Sequence, residues 1–340
     1  MSDKTAGLKD VAAAAGVSVT TVSRLLNGSL ALPDETRKRI EDAIRKLNYR
    51  PNPHARRLSR GRSDAIGLVV PDIANPFFAT LVAAVEEEAD RSGLAVSLFA
   101  TLNRSDREVA YLELIERKHV DGLIFVTNHA DDGQLARLIN KAEKVVVVDE
   151  DVPHAAVPKL FCDNEQGGHL AGSHLARHGH RDVLFVGSDE TMISGRRRFD
   201  GLRRALGEHW RQEIVPASYR GAYTIEFGRA AGRRFIAEGM PATAIFATSD
   251  EIAIGMMEVF RAEGVSIPGD VSMVGFDDVA PFHLFATPVT AVRQPVRAIG
   301  RRALRLLLET NWQEPPAAAA RELVPVEIVE RESVAPPAKR

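Results

Sequence analysis

The chain has 340 residues, 44 Lys and Arg against 46 Asp and Glu, and a 45% hydrophobic composition, which excludes disordered and collagen-like classes. Its single cysteine, Cys162, excludes an internal disulfide, and no apolar run approaches the length of a membrane-spanning helix. Charge is uneven: residues 1–62 hold 13 Lys and Arg against 6 Asp and Glu, a net of +7 against −9 for the remainder, as in a small polyanion-binding module joined to a larger body.

The first residues, Met1-Ser-Asp-Lys-Thr5, lack the apolar segment of a secretion signal, which predicts a cytoplasmic protein. Residues 8–27 read as two short helices joined by a tight turn. Leu8, Val11, Ala12 and Ala15 fall at i, i+3, i+4 and i+7, the stripe of a helix that buries one side. Gly16 supplies the permissive backbone of the turn, and Ser18 stands where an N-cap belongs. In the second helix Val22, Leu25 and Leu26 face inward. Thr20, Thr21, Ser23, Arg24 and Asn27 make the opposite face, with no carboxylate, so it can lie beside phosphates and base edges without repulsion.

Residues 33–47 predict a third helix, with Pro33 at its start, Asp34 and Glu35 in its first turn and Asn48 as a left-handed stop. Ile40, Ala43, Ile44 and Leu47 form its buried stripe. Three helices in about 48 residues make a core suited to a headpiece rather than an enzyme. Residues 49–62 then bring prolines, Arg56, Arg57, Arg60 and Arg62, and one large apolar side chain, Leu58. By composition the segment is either a solvated basic linker or a DNA-binding arm whose leucine has no core to join.

The run from Leu8 to Asn27, Glu35-Thr-Arg37 and Asn48-Tyr-Arg-Pro-Asn-Pro-His-Ala-Arg-Arg-Leu58 resemble the headpiece and hinge of the LacI/GalR family of bacterial transcription regulators. Ala6-Gly7 and Pro33 depart from the family pattern at positions that often carry a capping Thr and Ser. The resemblance implies that Val19, Thr20 and Arg24 read base edges while Ser18, Thr21, Ser23 and Asn27 hold the backbone. It further implies a hinge helix over residues 52–60 on operator DNA, with Asn52, Ala55 and Arg56 contacting DNA and Leu58 wedged into the minor groove.

Residues 64–335 alternate apolar runs with helical stretches, among them 66–70, 96–99, 122–126, 145–149, 159–162, 183–187, 244–248 and 271–275. Continuous apolar strands between helices predict parallel sheets covered on both faces. The resemblance implies a C-terminal α/β core of two doubly wound parallel-sheet lobes, like periplasmic binding proteins, behind an all-α helix-turn-helix headpiece. Its implied domains are a headpiece over 1–50, a hinge over 51–63, a two-lobed effector and dimerisation domain over 64–335 and a tail over 336–340. Lobe 1 covers about 64–163 and 294–324, and lobe 2 about 164–293 and 325–335.

Ligands of such sheets sit beyond the carboxyl ends of the strands. Those ends carry Asn75, Phe77 and Phe78, then Thr127, Asp149-Glu150, Ser249-Asp250 and Asp277-Asp278, an amide- and carboxylate-rich set with aromatic walls. By resemblance Arg198, Tyr223 and Gln294 match effector-contacting positions. Relatives that bind sugars often carry Arg where Glu150 stands and Asn where Ser249 stands. A glutamate there disfavours an anionic ligand and leaves room for a neutral polyol, a pentose or an amino-bearing ligand; Glu150 otherwise simply faces water.

The cluster of His169, His174, His178 and His180 lacks the zincin glutamate and a cysteine pair, so no metal site is assigned. No dinucleotide glycine fingerprint, nucleophile elbow or Walker loop occurs, and no cofactor or enzymatic reaction is expected. No leucine heptads follow residue 335. The expectation is a homodimeric, sequence-specific regulator, a repressor rather than an activator, on a pseudo-palindromic operator with a small sugar-like effector. The alternative is a solute-binding receptor of the same core fold without DNA regulation.

Overall fold

The computed structural model describes residues 6–26, 30, 32–49, 63–116, 119–142, 144–313 and 320–337. The chain divides into two units, residues 1–64 and 65–340.

In the first unit, α1 (Leu8–Ala15), α2 (Val19–Leu26) and α3 (Asp34–Lys46) close over Val11, Ala12, Ala15, Val22, Ile40 and Ala43. Gly16 turns the chain between α1 and α2 at φ 65°, a left-handed conformation that costs glycine little. Ser18 Oγ then accepts the Thr21 N–H at 3.0 Å and caps α2. The departures noted at the other caps have visible consequences. Gly7 offers no side chain, and Asp10 accepts the Gly7 N–H at 2.8 Å. Pro33 makes no side-chain cap on α3, which relies on Asp34 and Glu35 in its first turn. Asn48 ends the segment at φ 44°.

In the second unit the first lobe runs β1 (Ala65–Val70), α4 (Pro76–Arg91), β2 (Ala95–Ala100), α5 (Ser105–Glu116), β3 (Leu123–Val126), α6 (Gln134–Lys141), β4 (Val145–Val148) and β5 (Lys159–Cys162). The second runs α7 (Asn164–Arg177), β6 (Val183–Ser188), α8 (Ile193–Trp210), β7 (Ala217–Gly221), α9 (Ile225–Ala237), β8 (Ala244–Ala247), α10 (Asp250–Glu263), β9 (Ser272–Asp277), a 3-10 turn (Ala280–His283) and β10 (Thr290–Arg293). The chain then returns to the first lobe with α11 (Val296–Glu309), which packs on α4, and β11 (Arg321–Val324). It ends on β12 (Glu327–Val329) in the second.

The sheet orders are β11-β5-β4-β3-β1-β2 and β12-β10-β9-β8-β6-β7. The first is parallel throughout; in the second only β12 runs antiparallel, to β10. Parallel strands need helical crossovers, which cover both faces, so β1, β3, β4, β6 and β8 are buried along their whole length. Expected two-sided cover fails at one edge: β2 is half-exposed, with Leu98 open to solvent. The edge strand β7, Ala-Ser-Tyr-Arg-Gly, has no apolar run because only Tyr219 is buried, and the hydropathy pattern passes over it.

Three chain segments link the lobes, at Asp163 after β5, at Gln294-Pro295 after β10, and at Pro325-Val326 between β11 and β12. Proline at two of these junctions limits the backbone and leaves no N–H for strand pairing to continue.

Candidate functional site

In the headpiece, α2 turns Ser18, Val19, Thr20 and Arg24 to solvent, while Thr21 and Ser23 are half-buried. Val22 is fully buried, which sets the rotation of the helix, and Val19 is 39% exposed at its first turn. An exposed valine beside a threonine, a serine and an arginine, on a helix without acids, offers an apolar contact for a thymine methyl and a fork for guanine. Asn27, Asn52, Ala55, Arg56 and Leu58 lie outside the described residues.

The second unit holds a cleft between its two lobes. Asn75, Phe77, Phe78, Asp149 and Glu150 line it from the first lobe, and Arg198, Tyr223, Ser249 and Asp277 from the second, with Gln294 at the crossover. Thr127 does not line it. Its hydroxyl donates to Glu108 Oε1 at 2.7 Å inside the first lobe, where packing has buried both residues. Asp250, named from the end of β8, lines it too, and four further lining residues were not expected: Asn128, Met192, Ser194 and Glu251. Glu251 follows the end of β8 and so carried a usable signal. Met192 and Ser194 begin a helix four or more residues past β6, where strand-end reasoning no longer points.

Backbone conformation aims several of these groups. Asp149 and Asp277 leave β4 and β9 with φ 74° and 77°, the left-handed region that aspartate tolerates better than most residues. Asn75 caps α4, its Oδ1 accepting the Phe77 N–H at 2.7 Å, which leaves its amide NH2 for the Asp250 and Glu251 carboxylates of the opposite lobe. Ser249 caps α10 by accepting the Ile252 N–H at 3.2 Å.

Arg198 is the cationic centre. Its Nε donates to Asn164 Oδ1 at 2.8 Å, its Nη1 donates to the Thr248 carbonyl, and its guanidinium lies 3.6 Å from the centre of the Phe276 ring. Burial works against its charge, but the surrounding groups, Asp277 and Asp149 among them, hold it protonated. It reaches this position because α7 and α8 pack backbone to backbone. A Cβ at Gly168 would stand 2.0 Å from the Arg198 carbonyl oxygen, and one at Gly201 would stand 2.0 Å from that of Glu165.

Glu150 does not face water. Only 3% exposed, it accepts the Ile193 N–H at 2.9 Å, the Ser194 N–H at 3.3 Å and the Ser194 hydroxyl. The residue before α8, Met192, has no capping side chain, so the glutamate of the first lobe caps a helix of the second.

The remaining carboxylates are less well matched. Gln294 Nε2 donates to Asp277 Oδ1 at 2.6 Å, and Asp277 Oδ2 accepts the Asp250 N–H at 3.3 Å. Burial pushes the Asp149 carboxyl up to about 7 against the pull of Arg198. Burial, with Asp277 nearby, pushes Asp250 up to about 8, and burial with Asp72 nearby pushes Glu251 up to about 7. Free volume in the cleft is about 40 Å³, room for about three waters and far short of a sugar ring. Entry of such a ligand requires the lobes to part.

The Ser194 hydroxyl donates to the Glu150 carboxylate, but both groups are buried and tied to the first turn of α8. Cys162 is buried, its Sγ 3.3 Å from Asn164 Oδ1, and burial pushes the thiol well above its ordinary range. Among the described residues no three His, Cys, Asp or Glu side chains converge as a metal site. No helix among them is long and apolar enough to cross a membrane.

Residues 63–322 match the family model described as periplasmic binding proteins and sugar binding domain of LacI family. Residues 7–52 match that of bacterial regulatory proteins, lacI family. The chain is 33% identical to the HTH-type transcriptional repressor PurR of Mannheimia succiniciproducens, covering 97% of this chain and 98% of that one. Among solved structures it is similar to the lac repressor dimer bound to operator and the anti-inducer ONPF, at 27% identity and a TM-score of 0.83 over 98% of this chain and 100% of the other. It is also similar to the transcriptional regulator CelR in complex with cellobiose, at 29% identity and a TM-score of 0.71 over 97% and 100%. These relatives are regulators, not enzymes. A helix-turn-helix headpiece and a two-lobed effector-binding core, matched together over almost the whole length, place this chain in the LacI family of bacterial transcriptional regulators.

Proposed function

We propose that this regulator acts as a homodimer that represses by holding a pseudo-palindromic operator, and that a small sugar-like effector in the inter-lobe cleft controls the hold. Residues 1–50 serve as the headpiece, 51–63 as the hinge and 64–335 as the effector and dimerisation domain. Val19, Thr20 and Arg24 read bases, and Ser18, Thr21, Ser23 and Asn27 bind phosphates. Asn52, Ala55, Arg56 and Leu58 complete the DNA contacts, Leu58 as a wedge at the centre of the site. The cleft residues named above, without Thr127, form the effector site. A protein with this task works in the cytoplasm, where the chromosome is.

The observation that carries the DNA reading is the exposed, acid-free face of α2 with Val19, Thr20 and Arg24 in one row. A solute receptor has no use for such a helix. The operator-bound lac repressor and the cellobiose-bound CelR, similar over nearly all of this chain, support pairing that headpiece with a sugar-binding core. Dimer symmetry would then impose the symmetry of the site on DNA.

Selection from random duplexes with the intact chain tests it. Enrichment of one pseudo-palindrome is expected, with affinity that changes when one member of a sugar and polyol panel is added. A ligand does this only through its differential affinity for the two states. No enrichment, with the panel present or absent, overturns the proposal.

A further inference from the structure

The cleft's hydrogen-bonding capacity is lopsided. Asp250 Oδ2 and Gln294 Oε1 both lack a partner although their residues are 2% and 4% exposed and line the cavity. The Gln294 orientation is not arbitrary: its NH2 faces the Asp277 carboxylate, which can only be served by a donor, so its oxygen is turned away as an acceptor. Gln294 therefore presents an acceptor to the cavity, and Asp250 presents a second when its proton is displaced. The Tyr223 hydroxyl, also without a partner, can serve in either sense.

Charge is lopsided in the same direction. Asp149, Glu150, Asp250, Glu251 and Asp277 line the cavity with one cation, Arg198. Glu150 is taken up by the first turn of α8, and Arg198 commits two of its five N–H donors to Asn164 and the Thr248 carbonyl. Asp250 and Glu251 share the neutral amide of Asn75, and Asp250 also accepts from the backbone of its own helix start. Buried carboxylates this poorly matched favour holding a proton in the free cleft, and an arriving positive charge can take that proton's place.

We infer that the effector carries a protonated primary amine, seated between Asp250, Glu251 and the Gln294 carbonyl, on a polar ring or chain of sugar size. An ammonium brings three donors on one compact charge, which suits two carboxylates and an amide oxygen lining one cavity. The aromatic rings of Phe77, Phe78 and Tyr223 wall the same cavity, and hydroxyl groups on the ligand would meet Asp149 and Arg198. An anionic ligand is disfavoured by the same charges. This inference rests on the reading of the cleft as the effector site and narrows it.

Matched pairs decide it: glucosamine with glucose, galactosamine with galactose, mannosamine with mannose, and 1-amino-1-deoxysorbitol with sorbitol. Each is titrated calorimetrically into the full-length protein at neutral pH and constant ionic strength. At least one amine is expected to bind tenfold or more tightly than its hydroxyl partner. Asp250→Asn is expected to abolish that difference, and Glu251→Gln, which keeps the helix start intact, to reduce it if the first variant folds poorly. The inference is overturned if no amine outbinds its partner, whether because the neutral compound binds as well or because neither binds. A neutral sugar that binds and alters operator affinity would leave the effector site standing and remove only the amine. Loss of every sugar response would remove both.

Discussion

The carboxylate of Glu150, at the end of β4 in one lobe, accepts the Ile193 N–H at the start of α8 in the other at 2.9 Å. A helix of 18 residues thus begins on a side chain 43 positions earlier in sequence, across the cleft that a ligand must enter. The same contact that satisfies the helix therefore closes the lobes.

Glu150→Ala strips that cap and leaves buried amides unpaired, which costs about 1–3 kcal/mol. Equilibrium urea denaturation should register the loss. Hydrogen exchange should quicken at residues 193–195 while that of the headpiece stays as it was. Unchanged exchange in the first turn of α8 would show that the glutamate does not hold the lobes together.

Stability should depend on pH through Asp250. Its carboxyl sits at about 8 in the folded chain, above the ordinary value near 3.9 expected on unfolding. The folded state therefore binds more protons between these values. Its advantage is complete below the lower value and lost as pH rises through the higher. Asp250→Asn is neutral throughout and keeps the advantage, so its melting temperature relative to wild type should climb between about pH 5 and pH 9. A difference that stays flat across that range would refute the assignment.

Gly168→Ala tests the seating of Arg198. The new methyl would meet the Arg198 carbonyl oxygen at 2.0 Å, and a helix backbone cannot yield as a flexible side chain does. Overpacking of this kind costs about 1–3 kcal/mol, and the displaced guanidinium should weaken effector binding more than operator binding. Equal stability and unchanged ligand titration would contradict the tight α7–α8 contact.

In the headpiece, Arg24→Ala should lower affinity for the selected operator by about 1–3 kcal/mol and leave random duplex nearly unaffected. Arg56→Ala should weaken both alike and flatten the salt dependence by about one unit of slope. Competitive gel shifts at several salt concentrations separate the two. If Arg24→Ala weakened both duplexes equally, its role would be phosphate binding, not base reading.

The headpiece was legible because its signals are short-range. Val11 and Ala15 are spaced by the helical period, as are Val22 and Leu26 in the next helix, Gly16 and Ser18 sit within three residues of the turn they make, and each can be read without knowing what lies elsewhere. Strands β1, β4 and β6 were legible for a similar reason, since crossovers bury both faces and leave continuous apolar runs. The edge strand β7 broke the rule, since Tyr219 is its one buried residue, whereas the edge strand β2 kept the apolar run at 96–99. In the cleft, strand ends identified Asn75, Asp149 and Asp277, but Thr127 follows β3 and is drawn inward by Glu108, a partner 19 residues away.

Periodicity, caps and the motif of the first 58 residues thus settled what kind of molecule this is, since each depends on neighbours along the chain. Which acids would be buried, which helix Glu150 would cap, and which oxygens would be left without donors depended on the meeting of two lobes. Those outcomes are contacts between residues tens of positions apart, and hydropathy along the chain carries no record of them. The same glutamate is a surface charge or a buried clasp according to what folds against it.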